Sequence, residues 1–301
     1  MKFGKLTDIT KVDFSLPNLA ERSTALLAKE QPEQPAVYIG CTGWAMKEWV
    51  GRYYPPKTTP KDYLKAYAAQ FNGIELNSTH YQLPKVELLE RWREETPQSF
   101  RFSPKLGQNI SHAADLGINL GLGPSFAERM QELGPRLGWG FMQLPPHFGP
   151  AKLPLLEQFL KQYPQSLFPI CIEARQADIF ADPAARKDYF DLLQHYKVGT
   201  CITDVAGRRD VLHLELTAPV LMLRFVGNGL LPSDYQRVDA WIEKIMSLQT
   251  QGLKEFYLFL HEPDNLLAPD ICQYMAEQLA KKTDWSIKIP TPYQDPQLQL
   301  F

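Results

Sequence analysis

Two glutamates at the ends of apolar runs, Glu75 and Glu173, carry the side chains best suited to acid–base chemistry in this sequence. Lys105 follows a third run of the same kind. A carboxyl group in a poorly solvated site has a raised pKa, whereas a nearby cation keeps a second carboxylate ionised. We therefore predict that Glu75, Glu173 and Lys105 are catalytic residues, with the two acids exchanging protons with a substrate. The competing interpretation is a buried ion pair that only stabilises the fold.

Further polar and aromatic side chains stand where other apolar runs end. In the stretch IELNSTHY, residues 74–81, strand geometry sends the apolar side chains to one face and the polar side chains to the other. The predicted substrate-binding residues of the whole chain are Trp44, Asn77, Thr79, His80, Tyr81, His112, Gln143, Arg175, Asp204, Arg224 and His261. Guanidinium groups bind carboxylates and phosphates through paired hydrogen bonds, so the arginines, together with Lys105, predict an anionic or polyol ligand.

A pair of carboxyl groups in such a site predicts a hydrolase that cleaves a phosphodiester or a glycosidic bond. In glycoside hydrolysis, a short separation between Glu75 and Glu173 would suit a retaining mechanism and a longer one an inverting mechanism. The sequence does not fix this separation. The segment Gly227-Asn228-Gly229 follows a later apolar run, where barrels often bind phosphate, but two close glycines are also typical of an ordinary turn.

A divalent metal ion is left open as a further component of the site. The suitable ligands near the strand ends are Glu75, His80, Glu173, Asp204, His261 and Glu262. No H-x-H or H-E-x-x-H spacing groups them, so we predict no set of metal ligands and assign no cofactor. The four cysteines are widely spaced and indicate buried, reduced thiols. Cys41 as a nucleophile is the less favoured alternative, because no activating histidine is near it in sequence.

Eight short apolar runs must position these residues, and amphipathic stretches separate most of them. The runs are residues 36–41, 73–77, 99–104, 138–144, 168–174, 198–203, 220–225 and 255–260. Repeated alternation of strand and helix predicts a parallel sheet, and eight such units predict an α/β fold of the (β/α)8 TIM barrel type. The sixth helix is expected to be short or irregular. An open doubly wound sheet is the alternative.

The predicted barrel takes up residues 36–285. Residues 1–35 are expected to form an N-terminal arm with a short helix, and residues 286–301 an extended C-terminal tail. In a barrel of this type, reactive groups lie at the carboxyl ends of the strands, so the candidate residues are expected to meet at one mouth.

Composition places few limits on the ligand. With 301 residues, of which 44% are hydrophobic, the chain can bury a sizeable core, and a net charge of −2 favours neither nucleic acid nor a membrane surface. No signal peptide and no apolar run long enough to span a membrane is visible, which predicts a cytoplasmic protein without a membrane partner.

Several blocks of the sequence resemble a known family. In order, they are GCTGW followed by YYPP, IELNSTHYQLP, RFSPKLGQNISH, GFMQLPP and IEAR. Together, over about residues 37–285, these blocks are similar to the domain-of-unknown-function 72, or YecE-like, family of bacteria and archaea. The resemblance implies a (β/α)8 barrel with the blocks at one mouth, and no assigned reaction. The sequence departs from the family pattern after Arg224 and again at FLHEPDN, so His261 and Asn265 are not matched one for one.

Three functions fit these observations, and the last five residues bear on the choice. The first is a hydrolase, the second a DNA-repair-associated protein that binds nucleic acid, and the third a non-catalytic ligand-binding barrel. The sequence QLQLF looks like the Gln-Leu-x-Leu-Phe peptide by which bacterial DNA polymerases and repair proteins bind the sliding clamp. The predicted partner-binding residues are Gln297, Leu298, Leu300 and Phe301. Alternatively, these apolar side chains fold back onto their own chain.

Overall fold

A computed structural model describes residues 4–28 and 34–294 of the protein. Its strands are β1 Ala36–Gly40, β2 Gly73–Leu76, β3 Arg101–Pro104, β4 Gly140–Gln143, β5 Ile170–Glu173, β6 Gly199–Asp204, β7 Val220–Val226 and β8 Glu255–His261. Its α-helices are α1 Glu21–Leu27, α2 Tyr63–Gln70, α3 Ser78–Tyr81, α4 Val86–Glu94, α5 Gln108–Ser111, α6 Leu122–Met130, α7 Leu153–Gln162, α8 Asp178–Ala181, α9 Pro183–His195, α10 Pro232–Thr250 and α11 Ala268–Lys282. Short 3-10 turns join several of them.

The strands pair in parallel in two sheets. One sheet has six strands in the order β1-β8-β7-β6-β5-β4, and the other consists of β2 and β3. Strands of a parallel sheet need a connection long enough to return the chain to its starting edge, and helices supply most of these connections here. The predicted mixed α/β fold with parallel strands is confirmed.

Two hydrophobic clusters hold the strands in place. The larger cluster lies between the strands and the helices, where residues such as Trp49, Leu156 and Trp241 are fully buried. The smaller cluster lies on the opposite faces of the strands and includes Phe141, Cys171, Cys201, Met222 and Phe259. Because side chains alternate along a strand, β4 to β8 are apolar on both faces, which is typical of parallel strands covered on both sides. All four cysteines are free and buried, as predicted from their spacing.

The connection from β6 to β7 lacks an α-helix. The sequence predicts a short or irregular helix here, and the segment forms one 3-10 turn at Arg209–Val211. Residues 4–20, named the leading segment here, lie along this connection. The Phe14 ring packs against the guanidinium carbons of Arg209 and Arg237, at 5.5 and 4.8 Å from its centroid. The leading segment therefore covers part of the region that a sixth helix would otherwise protect.

Hydrogen bonds fix the two ends of the leading segment. At one end, the Gly4 carbonyl accepts a hydrogen bond from the Gly207 N–H at 2.9 Å, just beyond β6. At the other end, the Ala20 N–H donates to the Leu214 carbonyl at 3.1 Å, immediately before α1. The segment thus runs from the carboxyl end of β6 toward the residues that precede β7.

The chain after α11 is extended and lies on the surface as far as residue 294. The Thr291 N–H donates to Oε1 of Gln70 at 2.8 Å, and the Tyr293 N–H donates to the Arg52 carbonyl at 2.6 Å. The predicted clamp-binding residues Gln297, Leu298, Leu300 and Phe301 lie outside the described residues. None of the helices within residues 4–28 and 34–294 is long and apolar enough to cross a membrane.

Candidate functional site

Arg224 lies at the centre of the predicted site and joins the two predicted catalytic glutamates. From β7, its Nε and Nη2 donate to Oε2 and Oε1 of Glu75 on β2, each at 2.8 Å. Its Nη1 donates to Oε2 of Glu173, at the end of β5, also at 2.8 Å. All three side chains are almost completely buried. One guanidinium therefore bridges carboxylates from strands that are far apart in sequence.

A second set of side chains completes the hydrogen bonding of the two carboxylates. Glu75 also accepts from Nδ2 of Asn77 at 2.7 Å and is bound by Nε2 of His261 at 2.9 Å, so four hydrogen bonds reach its two oxygens. Glu173 accepts from Nε2 of Gln143 at 2.7 Å, and β4 and β5 place these two residues side by side. Gln143 in turn accepts at Oε1 from the Lys105 ammonium at 2.9 Å. The three predicted catalytic residues thus form one connected network with four of the predicted binding residues, Asn77, Gln143, Arg224 and His261.

The network sets the charge of its members. Burial opposes ionisation of Glu75, but Arg224 and His261 outweigh it, and the pKa of Glu75 lies well below its usual range. Burial likewise disfavours the Glu173 carboxylate, yet Arg224 and Arg175 lower the pKa of this group. Burial, and then Arg224, lowers the pKa of Lys105 to about 8. At neutral pH both carboxylates are ionised, so neither holds a proton to donate.

A cavity of about 550 Å³ opens above this network at the carboxyl ends of the strands. The predicted residues that line it are Asn77, His80, Tyr81, Lys105, Gln143 and His261. Lining residues that the sequence did not single out for binding include Lys5, Thr42, Asn228, Glu262, Asp264 and Asn265. Glu75, Glu173 and Arg224 lie beneath the cavity wall and hold the residues that face it.

His80 and Tyr81 form the rim of the cavity. Burial lowers the pKa of His80 to about 4, and its Nδ1 lies 2.8 Å from the Leu106 carbonyl. The Tyr81 side chain is 76% exposed and packs edge-on against the His80 ring. His80 is therefore neutral at physiological pH, and Tyr81 offers an open aromatic face beside the cavity.

Besides Arg224, five predicted binding residues do not line the cavity. The Thr79 hydroxyl lies within hydrogen-bond distance of the carbonyls of Leu76 and Lys105, so it ties α3 to the strand ends. Trp44 packs edge-on against Trp92 in the hydrophobic core. His112 contacts Ser111 through Nδ1 at 2.8 Å, and its ring neighbours His80. Nε of Arg175 lies 3.5 Å from Oε1 of Glu173, so Arg175 forms an ion pair with the network.

Asp204 is the fifth of these residues, and it faces away from the cavity. Its carboxylate accepts from Nη2 of Arg237 at 2.8 Å, from Nε1 of Trp241 at 2.7 Å, and from Arg209. Arg237 and Trp241 belong to α10. Cys201 of the same strand lies in the inner cluster, and because strand side chains alternate, Asp204 must point to the helix side. The position of Asp204 at a strand end predicted the correct edge of the sheet but the wrong face.

Glu262 lines the cavity, but it is not among the binding residues predicted from the sequence. It directly follows His261 at the end of β8, and it appeared only among the residues suitable as metal ligands. The same strand-end argument that selected His261 applies to it. Within residues 4–28 and 34–294, no three His, Cys, Asp or Glu side chains are grouped so as to hold a metal ion.

Comparison with known proteins gives the family of the chain. A family model described as "Protein of unknown function DUF72" matches residues 38–296. The chain belongs to the DUF72 family. It is 34% identical to the UPF0759 protein YecE of Escherichia coli K12 over 263 residues, which covers 81% of this chain and 93% of that protein. It is also 36% identical to the UPF0759 protein YunF of Bacillus subtilis over 75 residues, or 25% of this chain and 26% of that protein.

Solved structures of the same family share the fold. A DUF72 family protein from Enterococcus faecalis superposes with a TM-score of 0.66 at 17% identity, covering 86% of this chain and 100% of that chain. One from Thermotoga maritima superposes with a TM-score of 0.62 at 20% identity, covering 82% and 98%. At these identities the likeness concerns the fold alone. The description of the family names no activity that could be carried over to this chain.

Proposed function

We propose that this protein is a hydrolase that binds a small anionic substrate in the cavity at the mouth of a closed (β/α)8 barrel. Backbone hydrogen bonds between the two sheets support the closure. The Glu75 N–H donates to the Cys41 carbonyl at 3.1 Å, which links β2 to the end of β1. The Leu106 N–H donates to the Phe141 carbonyl at 2.9 Å, which links the end of β3 to β4. With these links every strand has a neighbour on both sides.

The observation that carries the proposal is that the Lys105 ammonium has unused hydrogen-bond donors at the cavity. The residue is 7% exposed and lines the cavity, and its ammonium donates one hydrogen bond among the described residues, to Gln143. An ammonium has three donors, so two remain for a ligand. Within the buried network, the cations Lys105, Arg175 and Arg224 outnumber the carboxylates Glu75 and Glu173 by three to two. A buried excess of positive charge favours an anionic ligand.

The same charge balance favours a phosphodiester over a neutral glycoside as the bond to be cleaved. Glu75 and Glu173 share one guanidinium and are both ionised, so this pair does not provide the one protonated and one ionised carboxyl group that most glycosidases use. Oε1 of Glu173 has no hydrogen-bond partner within the part of the chain that the structure describes. Nε of Arg175 lies 3.5 Å from this oxygen, and in the proposed hydrolysis a water that penetrates beneath the cavity wall would transfer its proton to it.

Calorimetric titration with dimethyl phosphate tests the proposal, because this diester keeps a single negative charge over the whole working pH range. We expect the wild-type protein to bind dimethyl phosphate more tightly than methyl glucoside. The variant Lys105→Met should lose at least about tenfold in affinity, since a charge-assisted hydrogen bond contributes about 1.5–3 kcal/mol. Lys65→Met, in which an exposed lysine of α2 is replaced, is the control. Equal affinity in wild type and Lys105→Met, or a preference for the neutral sugar, would contradict the proposal.

A non-catalytic ligand-binding barrel is the second candidate, and one observation favours it. All hydrogen-bonding positions of Glu75 are occupied by Arg224, His261 and Asn77, as expected for a structural brace. Such a protein would bind dimethyl phosphate in the same way but would not hydrolyse a diester. Assay of bis(4-nitrophenyl) phosphate hydrolysis beside the binding titration separates the two functions.

We also propose the sliding clamp as a partner, which would give the barrel a role near DNA. The support is the QLQLF sequence together with the surface path of the chain before it, where Gln294 is exposed. The tail would bind the clamp and the cavity would bind the substrate, so this proposal does not depend on the hydrolase proposal.

A further inference from the structure

Glu262 faces the cavity with one carboxyl oxygen bound and the other unbound. The residue is 3% exposed, and its Oε2 accepts from the Gly229 N–H at 2.7 Å. Its Oε1 is buried and has no hydrogen-bond partner among residues 4–28 and 34–294. A buried polar atom without a partner costs free energy, and such groups in native proteins are uncommon outside functional positions. Oε1 therefore keeps its capacity to accept or, when protonated, donate a hydrogen bond to a ligand that reaches it.

The loop after β7 is shaped around this carboxyl group. A Cβ atom on Gly227 would lie 1.9 Å from Oε1 of Glu262, so only glycine leaves room for the side chain. The Gly227 N–H donates to the His261 carbonyl at 2.8 Å, which fixes the loop to the end of β8. Gly229 has a φ of +96°, in the region that favours glycine, and this conformation directs its N–H to Glu262. Both glycines of Gly227-Asn228-Gly229 thus help to position the Glu262 carboxyl group.

The charges around Glu262 keep it from being permanently ionised. Burial raises the pKa of Glu262 to about 7, the Gly229 N–H opposes this effect, and the nearby Asp234 carboxylate adds to it. Arg237 of α10 favours the ionised form, but its guanidinium is already bound by Asp204 and Asp234. The other charged or titratable groups on the cavity wall are His80, Tyr81, His261, Lys5, Lys105 and Asp264.

We propose that Glu262 is the residue that exchanges a proton with the bound anion and acts as the general acid in its cleavage. This inference rests on the proposed function. In the step that follows from it, a water oxygen forms a bond to phosphorus and the bond from phosphorus to the leaving oxygen breaks. The leaving oxygen keeps the electron pair of that bond and takes the proton of Glu262. The water loses one proton to Glu173 and then to solvent, and Glu262 regains one from solvent, so the net reaction consumes one water.

Proton-linked calorimetry tests this role in the full-length protein. Dimethyl phosphate does not titrate near neutral pH, so at pH 7.5 its binding should raise the pKa of Glu262 and draw a fraction of a proton from the buffer. Titrations in buffers of different ionisation enthalpy measure that fraction. The variant Glu262→Gln should bind with less proton uptake than the wild type, because Lys105, whose pKa is about 8, is then the remaining group that gains a proton. Its affinity should exceed that of the wild type at pH 8 and match it at pH 6. Glu128→Gln, which replaces an exposed glutamate on α6, is the control and should behave like the wild type.

The outcomes separate this inference from the proposed function. If the wild-type protein does not bind dimethyl phosphate, the proposed function fails and the role of Glu262 fails with it. If it binds with the same proton uptake in wild type and Glu262→Gln, the cavity binds anions but another group exchanges the proton. A second measurement addresses catalysis: Glu262→Gln should slow hydrolysis of an alkyl diester by a larger factor than that of a 4-nitrophenyl diester, because only the poorer leaving group needs a proton. An equal reduction for both would overturn the assignment as general acid.

Discussion

The Arg224 guanidinium binds both oxygens of the Glu75 carboxylate, with Nε to Oε2 and Nη2 to Oε1 each at 2.8 Å and both side chains fully buried. This paired geometry is the strongest that arginine and a carboxylate form. Because both ions have left water, each depends on the other for its solvation. The pair therefore ties β2 to β7 and orients the residues above it.

Replacement of Arg224 by methionine should destabilise the fold strongly. The variant leaves Glu75 and Glu173 as two neighbouring carboxylates without their shared cation, and breaking a buried ion pair on one side costs about 3–5 kcal/mol. Urea unfolding at pH 7 measures the loss. Arg91→Met removes an arginine whose side chain is 63% exposed, and it should change the free energy of unfolding by about 0–1 kcal/mol. A similar small change in both variants would show that Arg224 is not the centre of the network.

Glu173→Gln should separate chemistry from structure. The amide keeps the shape of the side chain but has little basicity, so an attacking water loses its proton acceptor. We expect hydrolysis of a diester substrate to fall about 10²-fold or more while binding of dimethyl phosphate persists. Kinetics and calorimetry on the same preparation check both expectations. Unchanged turnover together with a large loss of thermal stability would instead identify Glu173 as a structural brace.

The low pKa of Glu75 predicts a loss of stability in acid. Its folded pKa lies well below its ordinary value of 4.5, so the unfolded chain binds the proton more readily. The carboxylate therefore contributes its full stability above about pH 4.5 and loses it as the pH falls toward the folded pKa, at about 1.4 kcal/mol per pH unit. Urea unfolding between pH 3 and pH 7 should show a shallower acid dependence in Glu75→Gln than in the wild type. Parallel curves for the two proteins would contradict the assigned ionisation.

Gly227→Ala should displace the Glu262 carboxyl group while residue 262 itself is unchanged. The added Cβ would meet Oε1 of Glu262 at 1.9 Å, so the carboxyl group has to leave its position. The variant should then take up a smaller fraction of a proton than the wild type on binding of dimethyl phosphate, as Glu262→Gln does. In Gly149→Ala the nearest atom to the new Cβ is 3.6 Å away, an ordinary contact, which makes it the matched control. Proton uptake equal to that of the wild type in Gly227→Ala would mean that the loop does not position Glu262.

The C-terminal tail should bind the sliding clamp of the same organism with a Kd in about the micromolar range, as expected for a short linear segment. Fluorescence anisotropy with a labelled peptide of residues 290–301, and pull-down with the full chain, measure this. Leu300→Ala combined with Phe301→Ala should remove binding, because these apolar side chains are expected to enter the clamp pocket. The absence of any anisotropy change at high clamp concentration would exclude this partner.

Part of the site could be predicted because strand ends in a parallel sheet meet at one edge. This rule brought together Glu75, Lys105, Glu173 and Arg224 from four separate runs. It did not indicate the correct face for Asp204, because the alternation of side chains depends on the register of β6, and one residue changes the side. Glu262 lies one residue beyond β8, and its importance depends on space left by Gly227, which no local pattern reveals.

The contribution of Lys5 to the cavity could not be predicted from sequence at all. It depends on the path of the leading segment, which is set by long-range hydrogen bonds such as that of Gly4 with Gly207. A local pattern contains no information on such a contact between distant parts of the chain.

The part of the cavity wall that the leading segment forms cannot be completed until later parts of the chain have been synthesised. Gly4, Lys5 and Leu6 are synthesised well before β6, yet the surface that they contact, near Val205 and Gly207, exists only after β6 has been translated. This part of the cavity wall therefore forms only after β6 has been translated, although it includes residues that precede β1 in the chain. Because Gly4 and Lys5 line the cavity, binding measurements should use protein without a tag attached close to these residues.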